Sequence, residues 1–217
     1  MSLEEELSRL RAESQADEKL QRAYQDLLAR LGRAETGERA LKLGDRMPSF
    51  ILPDAEGRLV ASDELLAQGP LVVNFFRGSW CPYCLKTLKA LEDWLPKIEA
   101  AGGRLVALTP DTGRHLTDTK RVQRLSYEIL SDVDGVVGLQ FGVLFRAPAA
   151  YRELLAGYGI DLAERHGNDR GFIPLPATFV VDRAGIVRYA FVNIDFTRRA
   201  EPSAIVAALT QLPNGSS

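Results

Sequence analysis

The sequence predicts an α/β fold of three layers, with helices on both sides of a central mixed sheet. Three observations carry this. Short apolar strands alternate with amphipathic helices from residue 44 onward. Leu71–Phe76 is a near-continuous apolar run, the mark of a strand covered on both faces. Two alternating strands around Arg183-Ala184-Gly185 precede a last helix, which adds an antiparallel hairpin to the parallel core.

Residues 1–43 read as a helical arm and linker. Ser2 and Glu5 fit a capping box. Leu3, Leu7 and Leu10 form one stripe; Leu20, Tyr24, Leu27 and Leu31 form a second. Gly32 fits a C-cap, and Gly37 and Gly44 bracket the linker. Two interrupted stripes fall short of the sustained heptads of a coiled coil. The arm is therefore read as folded on its own domain, with a homodimer or partner contact as the alternative.

Residues 44–212 form the main domain. Ser49–Pro53 and Leu59–Ala61 flank a Glu-Gly turn as a hairpin. Cys81–Ala101 is helical along Leu85, Leu88, Leu91, Leu95 and Ile98, with Pro96 expected to kink or break it. Strands follow at Arg104–Leu108 and Tyr127–Leu130, with helices at Thr112–Gln123 and Val136–Val143. Residues 144–175 read as an insertion, helical over Ala149–Ala156 and loop-rich over Gly157–Phe172, expected to border the active site. Ala177–Asp182 and Ile186–Val192 make the closing hairpin, and Pro202–Leu212 the last helix. Residues 213–217 are expected to be a disordered tail.

With 217 residues, 46% hydrophobic and 26% charged, the composition is that of a globular domain with appendages. Lys plus Arg number 27 against 29 Asp plus Glu, for a net charge of −2, so no basic footprint for nucleic acid exists. No apolar run approaches the ~20 residues of a membrane span. The acidic start, Met1 to Leu7, lacks the basic flank and apolar core of a signal peptide. A cytoplasmic protein without membrane contact is the expectation.

The two cysteines, Cys81 and Cys84, close almost no loop and so serve reactivity or metal rather than stability. They follow a strand and open a helix, where unsatisfied N–H groups and the helix dipole favour a thiolate. Arg77, if folded over the same turn, adds to that field; its alternative is a solvated surface arginine. The spacing lets one sulfur capture an intermediate formed on the other. Zinc would need two further ligands, and only His115 and His166, distant in sequence, could add imidazoles. Haem attachment would need His at residue 85, which is Leu. A redox pair is the reading, with inert buried cysteines as its bland counterpart; no metal and no cofactor are expected.

The segment Trp80-Cys81-Pro82-Tyr83-Cys84 and the later Leu175-Pro176-Ala177-Thr178-Phe179 resemble the thioredoxin superfamily. The run from Phe75 to Cys84 and the Gly-Asp-x-x-Pro-x-Phe opening at Gly44–Phe50 resemble its peroxiredoxin-like branch, the alkyl hydroperoxide reductase/thiol-specific antioxidant group. The likeness spans Gly44 through Leu209 and leaves out the arm. It implies a thioredoxin-like fold. Matching the peroxiredoxin pattern puts the peroxidatic cysteine at Cys84, Cys81 at the threonine position and Arg77 at the proline position. The branch's catalytic arginine falls on Pro176, which instead matches the cis-proline of thioredoxins. Asn74 stands where thioredoxins bury an acid.

Three functions follow. As a peroxiredoxin-like thiol peroxidase, Cys84 would attack a small hydroperoxide, Cys81 would form the disulfide, and a thioredoxin-like reductant would restore both. Arg77 would then replace the missing arginine. As a protein disulfide reductase, a more exposed Cys81 would attack first. In both schemes Pro176, in the cis form, lines the active-site face, and Trp80 and Tyr83 shape access. The third function is a redox-regulated binding module acting through the arm. The chain-wide layout favours the peroxidase, the site residues the reductase. Asp111 reads as a helix cap, His115 and His166 as solvent-facing, and Arg198-Arg199 as a solvated pair.

Overall fold

The structure, a computed structural model, describes residues 2–212. The arm is two helices, α1 (Leu3–Ser14) and α2 (Glu18–Arg33). A hairpin of β1 (Ile51–Pro53) and β2 (Leu59–Ala61) leads into α3 (Ser62–Gln68). Then come β3 (Leu71–Phe75), α4 (Pro82–Ala100), β4 (Arg104–Thr109), α5 (Gly113–Gln123), β5 (Glu128–Ser131) and α6 (Val136–Gln140). Residues 144–175 hold β6 (Leu144–Arg146), α7 (Ala149–Gly157), α8 (Leu162–His166) and β7 (Phe172–Pro174). Strands β8 (Ala177–Val181) and β9 (Val187–Val192) precede α9 (Pro202–Thr210).

The central sheet has the order β5-β4-β3-β8-β9. Strands β3, β4 and β5 run parallel, while β8 pairs antiparallel with β3 and β9 with β8. Strand β3 sits in the middle and is buried on both faces. Leu71, Val73 and Phe75 point to a core shared with α2, α6 and α7; Val72 and Phe76 point to one shared with α1, α4 and α9. Each such side chain fully buried contributes roughly 1.5–3 kcal/mol, which is why this strand is the anchor from which the site is hung. Phe75, Phe141 and Phe179 meet edge-on on one face, with ring centroids 5.0 to 6.2 Å apart.

The arm folds on its own chain. The capping box at Ser2 forms in both directions: the Glu5 N–H donates to Ser2 Oγ at 3.2 Å, and the Ser2 N–H to Glu5 Oε2 at 2.8 Å. Leu3 and Leu7 are buried where α1 packs against α4, and Leu27 and Leu31 are buried on α2, which packs against α7. The Glu4 N–H donates to Glu201 Oε1 at 2.7 Å, tying the first helix to the last. The break between the two stripes is real, because Asp17 caps α2 through the Leu20 N–H.

Several local expectations change. Helix α4 continues through Pro96 to Ala100, its buried face of Leu91, Leu95 and Ile98 holding it where one backbone bond is lost. Helix α3 was not foreseen. The stretch Gly157–Phe172, read as loop-rich, contains α8 and the first residue of β7, the strand that pairs with β6. The tail at 213–217 lies outside the described residues. Among the described residues, no helix is long and apolar enough to cross a membrane.

Candidate active site

Strand β3 hands the chain to the turn Arg77–Trp80. Gly78 adopts a φ of +142°, and a Cβ there would collide with the Trp80 indole Nε1 and come 2.9 Å from Asp111 Oδ1. Only glycine fits both constraints. Cys81 is the N-cap of α4 and Pro82 its first residue, so Cys84 lies in the first turn and both sulfurs sit at the positive end of the helix. Both are free thiols.

Both cysteines are buried, at 1% and 0% exposure, so Cys81 is not the exposed sulfur that the reductase scheme needs. It does form part of the wall of a cleft of about 530 Å³ between the arm, α7 and the redox turn. Cys84 lies behind it.

Two guanidiniums converge on the sulfurs. Arg77 is not solvated: it is 1% exposed, donates to the Tyr151 hydroxyl at 2.7 Å, and lies 4.1 Å from the Phe196 ring centroid and 4.7 Å from that of Trp80. Its Nε–H has no partner among the described residues. Arg199 is also buried, against the solvated reading of its pair; Arg198 alone stays half in solvent, bridged to Glu4. Arg199 donates to the carbonyls of Phe196 and Arg198 and, through Nη2, to Cys84 Sγ at 3.2 Å. Among the described residues no carboxylate pairs with either guanidinium. Burying an unanswered cation costs several kcal/mol, and the anion able to answer these two is a thiolate.

The thiols respond accordingly. Burial pushes Cys84 up, but the Cys81 hydrogen bond, the Arg199 charge, and the backbone N–H and charge of Arg77 overcome it and lower the thiol to about 5. Burial and the Cys84 sulfur push Cys81 well above the usual thiol range. Burial and the neighbouring sulfur thus act against a charge on Cys81, while the two guanidiniums favour one on Cys84.

Behind the turn lies a polar cluster. Asp111 does not cap α5, whose N-cap is Thr112; its Oδ2 accepts from the Ser79 N–H at 2.8 Å and Oγ–H at 2.9 Å. Arg165 donates to the same Ser79 Oγ at 2.8 Å. His166 is 1% exposed and His115 mostly covered against Glu164, so neither faces solvent freely. Burial, with Arg165 and His115 nearby, lowers His166 to about 4.

Trp80 and Tyr83 both line the cleft, and the Tyr83 hydroxyl meets Ser14 Oγ of the arm at 3.2 Å. Pro176 does not line it, and no cis peptide occurs among the described residues; its carbonyl accepts from the Asn193 N–H, an ordinary sheet-end contact. Asn74 is buried and accepts from Thr178 Oγ at 3.0 Å, so no acid stands there. Sequence reasoning missed Arg199, Asp111 and Tyr151. An arginine pair after a strand gives no sign of which member turns inward.

The pattern defining the AhpC/TSA family matches residues 43–190. The chain belongs to the AhpC/TSA family. A putative peroxiredoxin of Mycobacterium tuberculosis is 32% identical over 103 residues, covering 48% of this chain and 67% of that relative. The thiol-disulfide oxidoreductase ResA of Bacillus thuringiensis is 24% identical over 153 residues, 70% of each chain. The crystal structure of peroxidoxin BcpB from Mycobacterium tuberculosis superposes with a TM-score of 0.63 at 24% identity, covering 80% of this chain and 99% of that one. The fold is thioredoxin-like, as the resemblance implied. The arm precedes the matched stretch, and Arg199, which meets Cys84 Sγ, follows it.

Proposed function

We propose that this AhpC/TSA protein is a thiol peroxidase that reduces hydroperoxides, with Cys84 as the attacking thiolate and Cys81 as the resolving thiol. The contact between Arg199 and Cys84 carries the reading, because a buried guanidinium at 3.2 Å favours a thiolate on that sulfur. The Cys84 thiolate attacks one peroxide oxygen, the O–O bond breaks, and the departing alkoxide takes a proton to leave as an alcohol. Cys84 becomes a sulfenic acid. The Cys81 thiol then condenses with it, forming the S–S bond and releasing water. An external dithiol of thioredoxin type returns both sulfurs to the reduced state. The unpartnered Nε–H of Arg77 suits a peroxide oxygen, and Trp80 and Tyr83 shape the approach. No role is supported for Pro176. The arm's apolar stripes are engaged by its own chain, so a homodimer would use other surfaces. A reducing cytoplasm suits the cycle.

A second reading, a disulfide reductase, is favoured by one observation: Cys81, not Cys84, forms the cleft wall. Peroxide consumption with a thioredoxin recycling system, and insulin reduction, separate the two in wild type, Cys81→Ser and Cys84→Ser. We expect peroxide turnover in wild type, none in Cys84→Ser, and in Cys81→Ser a Cys84 sulfenate that persists and is seen by mass as one added oxygen. Insulin reduction dependent on Cys81, without peroxide turnover, would establish the reductase instead.

A further inference from the structure

We infer that the first helix of the arm is a positioning element for the redox pair: through Glu4 and Arg11 it fixes residues 195–201 so that Arg199 reaches Cys84. The use made of that sulfur rests on the peroxidase reading above. Residues 195–201 lie between β9 and α9 and belong to neither, so no ladder fixes their backbone. Thr197 and Ala200 are nevertheless buried, and a buried stretch of this kind needs side chains to answer its carbonyls. Three successive carbonyls here accept from two guanidiniums. Arg199 takes those of Phe196 and Arg198, and Arg11 takes that of Thr197 between them, at 3.1 Å. A guanidinium is a rigid planar fork. With Arg199 Nη1 held by its two carbonyls, Nη2 is aimed at Cys84 Sγ, and a tilt of these peptides swings it away.

Glu4 completes the clasp. Its carboxylate pairs with Arg11 and with Arg198 Nη1 at 3.2 Å, and its N–H donates to Glu201 Oε1 at 2.7 Å. Leu3 and Leu7 share a core with Ala200 and Ile205, which backs these polar contacts with apolar ones. The same segment lays the Phe196 ring 4.1 Å from the Arg77 guanidinium, so both cations at the sulfurs lean on it. The groups that set the charge on Cys84 are Cys81, Arg199 and Arg77. Glu4 and Arg11 act at one remove. The clasp joins two parts of the chain that flank the matched residues 43–190.

The test is a double-mutant cycle on the reduced full chain, read by thiolate absorbance against pH, with folding followed by circular dichroism. Arg199→Met alone should raise the lower thiol step by about one unit or more, tenfold less thiolate below it. Arg11→Met alone should raise it by about half a unit, a roughly threefold loss. Glu4→Gln, the second variant, should move it the same way, and Arg11→Lys should recover part of the shift. In the Arg199→Met background neither Arg11→Met nor Glu4→Gln should move the step further. A direct field from the arm, or a general loosening, would shift it equally in both backgrounds, and that result overturns the inference. So does an unmoved step in folded Arg11→Met or in Arg199→Met. The cycle needs no peroxide. If it runs as expected while wild type turns over no hydroperoxide, the peroxidase reading fails and the positioning role stands.

Discussion

The Arg199 guanidinium reaches Cys84 Sγ across 115 residues of chain, at 3.2 Å and out of water. A charge so placed acts on the sulfur with little solvent screening. Arg199→Met should therefore raise the Cys84 pKa and lower peroxide kcat/KM by about tenfold or more at pH 6, since each unit of pKa is a factor of ten in thiolate below it. Arg199→Lys should recover part of the loss. Thiolate absorbance against pH, beside the rate, checks both. In wild type the rate should hold at neutral pH and fall as pH drops through about 5, where the thiolate is protonated.

His166 supplies a pH dependence of stability. Its pKa is about 4 in the fold against 6.5 for a free imidazole. Between those values the unfolded chain binds more protons, so stability is fully present above about pH 6.5 and is lost as pH falls towards 4. Cys84, also depressed on folding, tilts the curve the same way from its unfolded value down to about 5. Melting temperatures across pH 4 to 7 should show the fall, and His166→Gln should flatten its lower part.

Gly78→Ala should damage the turn. The alanine would have to hold a φ of +142° with its methyl against the Trp80 indole and Asp111. Strain of this kind costs about 1–3 kcal/mol, which corresponds to a melting temperature roughly 2–10 °C lower. A shift in Trp80 fluorescence should accompany it.

Leu7→Ala tests the arm. Leu7 is fully buried against the α4 side of the sheet, so its removal should cost about 2–5 kcal/mol in denaturant unfolding. Limited proteolysis should then cut within α1 or α2 before the main domain.

Legibility in the sequence followed the range of the forces involved. The apolar run at Leu71–Phe76, the Gly185 turn of β8 and β9, and the cysteines opening α4 are all written in neighbouring residues, and each could be read from them. Strands β6 and β7 pair across residues 144–174 with no turn between them to announce the partnership. Helix α3 is only seven residues long, too short for a periodic signal. Arg199, Asp111 and His166 take their roles from burial beside a turn far away in sequence, and charged residues give no local hint of being enclosed. The Arg77 alternatives were legible; which one holds is decided by Tyr151, Trp80 and Phe196 closing round it.

The bond from Glu4 to Glu201 has a consequence for how the molecule comes into being. Its two ends are 197 residues apart, so at ~5–20 residues per second a ribosome needs roughly 10–40 s to deliver the second after the first. Cys81 and Cys84 are made within that interval, so both thiols exist before the bond that ties the first helix to the last can close.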